Sequence, residues 1–213
     1  MWGRAGIGNR PRRRPFLVGL TGNFGTGKST VARYFQKMGA RVVSADRLAH
    51  EVFRKKNPVY PRIRSLFRGI KGDLSRAKVA RGVFRDSKKR RSLESLIHPY
   101  VFRRIGEEIK RGRARVAVLE VPLLFESGFD RKCDRTVVVE ASAKEVLRRL
   151  QRKGFRRTEV EARWRAQMPV PEKIRRADYA IDNSGGRDET RRQVVQIWKQ
   201  IERSLKKHGK RES

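Results

Sequence analysis

Short apolar runs alternate along this chain with longer stretches in which apolar residues recur every three or four positions. Each run is bounded by glycine, proline or polar residues, and its length suits a strand that is buried on both faces. The runs predict strands at 16–20, 40–46, 116–124, 135–141 and 179–182. Because helical stretches separate them, the pattern predicts an α/β fold whose parallel sheet is covered by helices on both faces.

Several of the intervening helices carry recognisable end signals. The helix after the first strand stops at Gly39, and the final helix extends over about Asp188–Lys207. Ser142 suits the N-cap of one helix, and a capping box formed by Thr158 and Glu161 predicts the start of the next. Residues 46–112 are predicted to be mainly helical, with breaks at "NPVYP", "RGIKGD" and "HP".

The charge adds a second feature. Lys and Arg number 55 against 22 acidic residues, a formal net charge of +33. Such a field attracts polyanions, but the basic residues are spread along the whole chain. We therefore expect a solvated basic surface with nonspecific, salt-sensitive contact to nucleic acid and no specific nucleic-acid target.

The two ends of the chain and the single cysteine give information about where in the cell the protein is located. Residues 1–15 are Arg-rich and lack acids, which favours a disordered basic extension, although a transit peptide has a similar composition. Residues 208–213 form a basic tail. No run approaches the ~18 apolar residues of a membrane span. Cys133 stands alone, so no internal disulfide can form, and a reducing cytoplasm fits.

The sequence "GLTGNFGTGKST" carries the most specific motif. Its pattern G-x-x-x-x-G-K-[ST], set between a strand and a helix, is typical of a phosphate-binding loop. Glycines let the backbone bring its N–H groups against phosphate oxygens, and the following helix points its positive end at them. The predicted ATP contacts are Gly22, Asn23, Phe24, Gly25, Thr26, Gly27, Lys28, Ser29 and Thr30.

Two loop residues have assigned roles. The Lys28 ammonium would reach the β- and γ-phosphates, and the Ser29 hydroxyl would ligate Mg²⁺. The alternative to a phosphate-binding loop is a glycine-rich turn with an exposed lysine.

The loop alone does not separate kinases from GTPases, motor ATPases or helicases. The chain lacks a recognisable GTPase NKxD motif and has a long helical insert, which suits a small-molecule kinase.

Six further blocks follow in order, "SADRLAHEVF", "LIHPYV", "EVPLLFESG", "RRLQRKG", "AQMPVPEK" and "ADYAIDNSGG". With the glycine-rich loop, they resemble the dephospho-coenzyme A kinase family over about Phe16 to Arg203. The resemblance implies transfer of the γ-phosphoryl of ATP to the ribose 3′-hydroxyl of dephospho-CoA, the last step of CoA synthesis. It also implies a P-loop kinase domain (16–207) with a five-stranded parallel sheet, an acceptor-binding helical insert (about 46–112) and a small mobile lid (about 150–170).

On the acceptor side, the resemblance makes Asp46 the catalytic base. Asp46 lies just beyond the second strand, where a carboxylate can accept the proton of the attacking hydroxyl. The structural alternative is a carboxylate that the helix dipole favours at a helix N-terminus. Many family members have a second aspartate in this turn, where this chain has Ser44. A second metal-facing carboxylate is therefore in doubt.

Further acceptor contacts are predicted from two other blocks. His98 precedes Pro99, so it either caps a helix that begins there or touches the acceptor. The turn in "EVPLLFES" places Pro122 and Glu126 beneath the acceptor. Glu120 either only ends its strand or lies close to the metal.

On the nucleotide side, Arg149 and Arg152 match lid arginines of the family, and we expect Arg149 to act in catalysis because cations should close over the transferred group. Asn183 belongs to a loop that resembles the adenine contact of the family. The remaining matches are expected to set the structure or the lid, and both helical tryptophans to pack: Gln167, Lys173, Asp178, Trp164 and Trp198.

Two other functions stay open. One is a nucleoside or nucleotide kinase on the same scaffold. The other is a nucleic-acid-binding protein with an ATP-driven switch, which the charge of +33 motivates. The expected state is a monomer or a small homo-oligomer whose partners are ATP, Mg²⁺ and dephospho-CoA, with no membrane.

Overall fold

A computed structural model describes residues 14–70, 72–75, 78–79, 82 and 86–211. Most of the predicted basic extension, residues 1–13, lies outside the described residues. Within the described part of the chain, no helix combines the length and apolar character needed to cross a membrane.

One parallel sheet forms the centre of the described part of the chain. Its strands are β1 (Phe16–Thr21), β2 (Arg41–Ser44), β3 (Val116–Glu120), β4 (Arg135–Glu140) and β5 (Tyr179–Asp182). Their order across the sheet is β2-β3-β1-β4-β5, and every pairing is parallel. The predicted five-stranded parallel sheet is therefore confirmed.

Helices pack on both faces of this sheet. They are α1 (Lys28–Lys37), α2 (Ala45–Glu51), α3 (Tyr60–Leu66), α4 (Ser87–Arg111), α5 (Ala143–Gln151), α6 (Arg157–Arg165), α7 (Val170–Arg176) and α8 (Arg187–Arg211), and a 3₁₀ turn spans Phe129–Lys132. One apolar core joins α1 and α8 to the sheet through Phe35 and Ile201. A second core joins α2, α3 and α4 to the other face, around Leu48, Ile63 and Ile105.

Two predicted strands are too long. The run 116–124 is a strand only as far as Glu120, because Pro122 has no N–H to donate to the ladder. The run 40–46 ends as a strand at Ser44, whose hydroxyl accepts a hydrogen bond from the Arg47 N–H (3.4 Å) and caps α2.

The predicted helix break at "HP" is wrong. His98 and Pro99 lie inside the continuous helix α4, so His98 does not cap a helix start. A proline in a helix interior costs about 3 kcal/mol because it removes an N–H and crowds the preceding turn. Here buried residues on both sides of the proline, including Leu93 and Val101, pack into the second core and hold the helix together.

The helix caps were predicted with mixed success. Ser142 caps α5 as expected, since its hydroxyl accepts the Glu145 N–H at 3.3 Å. The box of Thr158 and Glu161 is wrong, because α6 begins at Arg157 and Glu159 accepts the Arg156 N–H at 2.9 Å. Phe155 and Val160 join one apolar cluster across this helix start and fix where the chain enters α6.

Candidate active site

The predicted phosphate loop joins β1 to α1 at the carboxyl edge of the sheet. The strand register brings Glu120 beside both Leu20 of β1 and Ser44 of β2, so the ends of three strands lie level there. In open parallel α/β sheets this edge is where ligands bind.

Three glycines shape the loop. Gly22, Gly25 and Gly27 have φ angles of 147°, 87° and 95°, a region that residues with a Cβ rarely adopt. A Cβ at Gly25 would come within 2.6 Å of Val146 and Leu150 on α5, and one at Gly27 would collide with the Asn183 amide. The loop therefore lies tightly between α5 and the loop after β5.

Lys28 occupies the centre of this loop. Its Nζ donates to the carbonyl oxygens of Gly22 (2.8 Å) and Asn23 (3.0 Å). Burial lowers the pKa of Lys28 to about 8, against the opposing attraction of Glu120 and Asp46. The ammonium is thus held over the loop, and both carboxylates are near enough to act on it.

Ser29 and Glu120 meet at the start of α1. The Ser29 hydroxyl donates to Glu120 Oε1 at 2.7 Å. An alcohol and a carboxylate oxygen are the hard ligands that Mg²⁺ takes. Among the described residues, no group of three or more His, Cys, Asp and Glu side chains could hold a metal, and a site of few protein ligands suits an ion that keeps waters and substrate phosphates. The residues present therefore fit the cation.

The sequence left open whether Glu120 only ends its strand or lies close to the metal, and the structure puts its carboxylate on the Ser29 hydroxyl at the centre of the site. The sequence did carry a signal, an acidic residue ending a wholly apolar run in a parallel sheet. Glu120 is 91 residues from Ser29 in the sequence, so sequence spacing alone could not predict their contact.

Asp46 lies in the first turn of α2, exposed at the same edge of the sheet. Its carboxylate acts on the Lys28 ammonium, so the predicted base and the predicted phosphate-binding lysine are neighbours. Ser44 stands where a second aspartate was considered. Its hydroxyl accepts the Arg47 N–H and so caps α2.

Arg149 lies beside the loop and is held in place from two sides. Its Nε donates to Glu145 at 2.6 Å and its guanidinium donates to the Asn183 carbonyl at 2.8 Å. Hydrogen bonds from Arg148 and Arg149 lower the pKa of Glu145 to about 2, so this carboxylate stays ionised. Arg152 is exposed at the C-terminal end of α5.

Asn183 supports the loop with its side chain. Its Nδ2 donates to the Thr26 carbonyl at 2.7 Å, and its Oδ1 accepts from the Thr190 hydroxyl at 2.8 Å. These bonds tie the phosphate loop to the start of α8. The Asn183 N–H donates to the Glu140 carbonyl at 2.8 Å, and its carbonyl accepts from Arg149. The predicted adenine contact would therefore have to use the second lone pair of that carbonyl or the residues that follow.

The turn after β3 is organised around a buried lysine. Lys173, which is 0% exposed, donates to the Pro122 carbonyl and forms an ion pair with Glu126, each at 3.0 Å. Burial lowers the pKa of Lys173, and Glu126 opposes that change. Glu126 also accepts the Met168 N–H at 2.9 Å. Pro122 and Glu126 thus bind α7 and the chain before it.

His98 projects from the middle of α4. Its ring stacks on Phe102, with 5.8 Å between ring centroids, and Phe102 in turn packs on Phe129 at 4.8 Å. This places His98 in the helical insert, with an aromatic neighbour, and leaves its predicted contact with the acceptor a prediction.

Comparison with known proteins agrees with this geometry. The family model described as dephospho-CoA kinase matches residues 16–189. The chain belongs to the dephospho-CoA kinase family. A dephospho-CoA kinase from Aquifex aeolicus is 40% identical over 191 residues, which cover 87% of this chain and 97% of that protein.

Solved structures share the fold of this member of the dephospho-CoA kinase family. A crystal structure from Thermus thermophilus superposes with a TM-score of 0.79 at 38% identity, covering 87% of this chain and 96% of that one. A gluconokinase from Sinorhizobium meliloti, with a TM-score of 0.53 and 18% identity, covers 92% and 99% and shares the fold alone.

Proposed function

We propose that this chain transfers the γ-phosphoryl group of ATP to the ribose 3′-hydroxyl of dephospho-CoA, giving CoA and ADP. The observation that supports this most directly is that Lys28, the Ser29–Glu120 pair and Asp46 lie close together at one edge of the sheet. In a member of the dephospho-CoA kinase family, such a meeting provides a cation, a place for Mg²⁺ and a base.

The loop binds the triphosphate. The N–H groups of Lys28 and Ser29 lie at the positive end of α1, where a helix offers donors to an anion. The Lys28 ammonium has three donors, and two of them bond carbonyl oxygens at 2.8 and 3.0 Å. When a triphosphate enters, the third donor meets an oxygen of full negative charge. The gain in electrostatic attraction favours the bound state.

Ser29 and Glu120 would hold the cation. The charge of Mg²⁺ held by their oxygens would offset the negative charge that develops on the transferred group. Ser29 would supply its hydroxyl oxygen directly, and Glu120, now hydrogen-bonded to that hydroxyl at 2.7 Å, would orient it or a bound water.

Asp46 would accept the proton. As the 3′-oxygen forms its bond to the γ-phosphorus, the bond from phosphorus to the β-γ bridging oxygen breaks, and the hydroxyl proton passes to the Asp46 carboxylate. Arg149, already aimed at the loop by Glu145 and Asn183, would stabilise charge on the transferred oxygens.

An acceptor panel tests the proposal. The protein is incubated with ATP, Mg²⁺ and equal concentrations of dephospho-CoA, nucleosides or nucleoside monophosphates, and ADP and the phosphorylated product are measured. We expect dephospho-CoA to have the highest kcat/KM and its 3′-deoxy analogue to give no product. A nucleoside that outcompetes dephospho-CoA would instead support the alternative kinase. Lys28→Ala is the folded, inactive control.

We also propose a cytoplasmic enzyme without a specific nucleic-acid partner. The basic residues are distributed through the chain, so binding to DNA or RNA should fall steeply between low and physiological salt. A complex with one nucleic-acid sequence that survives physiological salt would contradict this.

A further inference from the structure

A short segment at the C-terminal end of α6 is hydrogen-bonded to the phosphate loop. We call Trp164–Met168, which ends α6 and leads into α7, the latch segment. Trp164 Nε1 donates to the Phe24 carbonyl at 2.9 Å, and the Phe24 N–H donates to Gln167 Oε1 at 2.9 Å. The Asn23 side-chain amide adds a longer bond of 3.4 Å to the Met168 carbonyl.

Both polar backbone groups of Phe24 are thus bonded to side chains. The two partners, Trp164 and Gln167, are themselves joined by a turn in which the Gln167 N–H donates to the Trp164 carbonyl at 3.0 Å. The Phe24 ring is held as well, because it packs edge-on against Phe155 at 5.2 Å and lies 4.3 Å from the Arg163 guanidinium. The latch segment therefore fixes the backbone of Phe24, and Phe155 and Arg163 beside it hold the ring.

Because the peptide bond is planar, the hydrogen bonds of Phe24 also set the direction of the neighbouring backbone groups in the loop. In a trans peptide the C=O and N–H point in opposite directions, and no described peptide bond is cis. With the Phe24 carbonyl turned toward Trp164, the N–H of Gly25 must point away from the latch segment.

The same reasoning connects Gln167 to Lys28. The Phe24 N–H is turned toward Gln167, so the carbonyl of the same peptide unit, that of Asn23, points the other way. That carbonyl accepts the Lys28 ammonium at 3.0 Å and the Thr26 hydroxyl at 3.0 Å. Gln167 thus orients an oxygen that holds the phosphate-binding lysine.

The other end of the latch segment is anchored to the turn after β3. The Met168 N–H donates to Glu126, which pairs with Lys173, and Lys173 donates to the Pro122 carbonyl. That carbonyl also accepts the Thr21 hydroxyl at 3.1 Å, just before the loop begins. The latch segment is therefore braced against a rigid, buried group.

We propose that Trp164 and Gln167 are positioning residues for phosphoryl transfer: Trp164 sets the Gly25 amide, and Gln167 sets the Asn23 carbonyl that places Lys28. Neither side chain touches a reacting atom. The inference rests on the proposed function for its kinetic test, but its binding test needs only ATP.

The variants remove one hydrogen bond each, and each control makes the same change of side-chain size elsewhere. Trp164→Phe keeps an aromatic ring without the N–H donor, and Gln167→Met keeps length without the acceptor. Trp198→Phe and Gln196→Met are the matched controls, since Trp198 packs on Phe35 at 6.3 Å in the α1–α8 core and Gln196 is exposed on α8. Thermal melting identifies any variant that fails to fold.

Binding of a fluorescent ATP analogue is measured at neutral pH without Mg²⁺. Gln167→Met frees the peptide unit that carries the Asn23 carbonyl, and Trp164→Phe frees the one that carries the Gly25 N–H. Each variant should weaken binding at least threefold, and the controls should match the wild type.

Turnover completes the test. We expect kcat to fall at least tenfold in both latch variants, with KM for dephospho-CoA changed less than threefold. The proposal is overturned if folded Gln167→Met and Trp164→Phe match their controls in ATP binding or in kcat. A wild type that binds ATP but leaves dephospho-CoA unphosphorylated contradicts the proposed function, and the binding experiment then still decides the role of the latch segment.

Discussion

The ionisation of Lys28 gives a quantitative prediction for ATP binding. Burial lowers the pKa of Lys28 in the free protein to about 8. A bound triphosphate favours the ammonium and raises that pKa again. Binding should therefore take up protons at alkaline pH, and the affinity for ATP should fall as the pH rises through 8.

The size of the effect follows from the fraction of free protein that carries the ammonium. With a pKa of about 8, that fraction is about 0.9 at pH 7 and about 0.1 at pH 9, so Kd for ATP should rise about tenfold between these values. A tenfold change is about 1.4 kcal/mol. The triphosphate has lost its protons by pH 8, so the loss of affinity belongs to the protein.

Isothermal titration calorimetry without Mg²⁺ measures both quantities. Repeating the titration in two buffers of different ionisation enthalpy gives the protons taken up, about 0.5 at pH 8 and about 0.9 at pH 9. Lys28→Arg is the matched control, because an arginine stays charged throughout this range, and its Kd should show no such slope. Glu120→Gln removes the largest opposing attraction on Lys28 and should move the loss of affinity to lower pH.

The reasoning would be refuted by a wild-type Kd that is constant from pH 7 to 9, or by an equal slope in Lys28→Arg. Either result would mean that the ammonium held between the Gly22 and Asn23 carbonyls is not the group that receives the triphosphate.

Four further substitutions test other parts of the molecule. Asp46→Asn should keep ATP affinity within about twofold and lower kcat by about 100-fold or more; unchanged turnover would remove Asp46 as the base. Gly27→Ala should abolish ATP binding and lower Tm, because its Cβ meets Asn183 at a positive φ, whereas Gly106→Ala, in open space within α4, should stabilise by about 1 kcal/mol. Pro99→Ala should raise Tm by restoring a helical hydrogen bond; a lower Tm would show that packing requires the proline.

The core of the fold could be predicted from local sequence because its signals are local. Five apolar runs gave the strands, and the loop glycines and Lys28 lie within seven residues of one another. The ends of elements were harder to predict. Pro99 should stop a helix by its own preference, and only its buried neighbours from α4, such as Val101, explain why it does not.

Site residues could be predicted where they belong to one short motif of known spacing, as in the glycine-rich loop. Contacts between segments that are far apart in the sequence could not be predicted. Ser29 and Glu120 are 91 residues apart, and Phe24 and Gln167 are 143 apart. Trp164 was expected only to pack, because nothing near it in sequence signals that its N–H reaches the phosphate loop.

The central claim is tested most directly by a crystal structure with a non-hydrolysable ATP analogue, Mg²⁺ and dephospho-CoA. The account predicts that the triphosphate lies in the loop from Gly22 to Lys28, with the Asp46 carboxylate about 2.6–3.2 Å from the ribose 3′-hydroxyl. A triphosphate bound elsewhere, or an Asp46 carboxylate turned away from that hydroxyl, would contradict it.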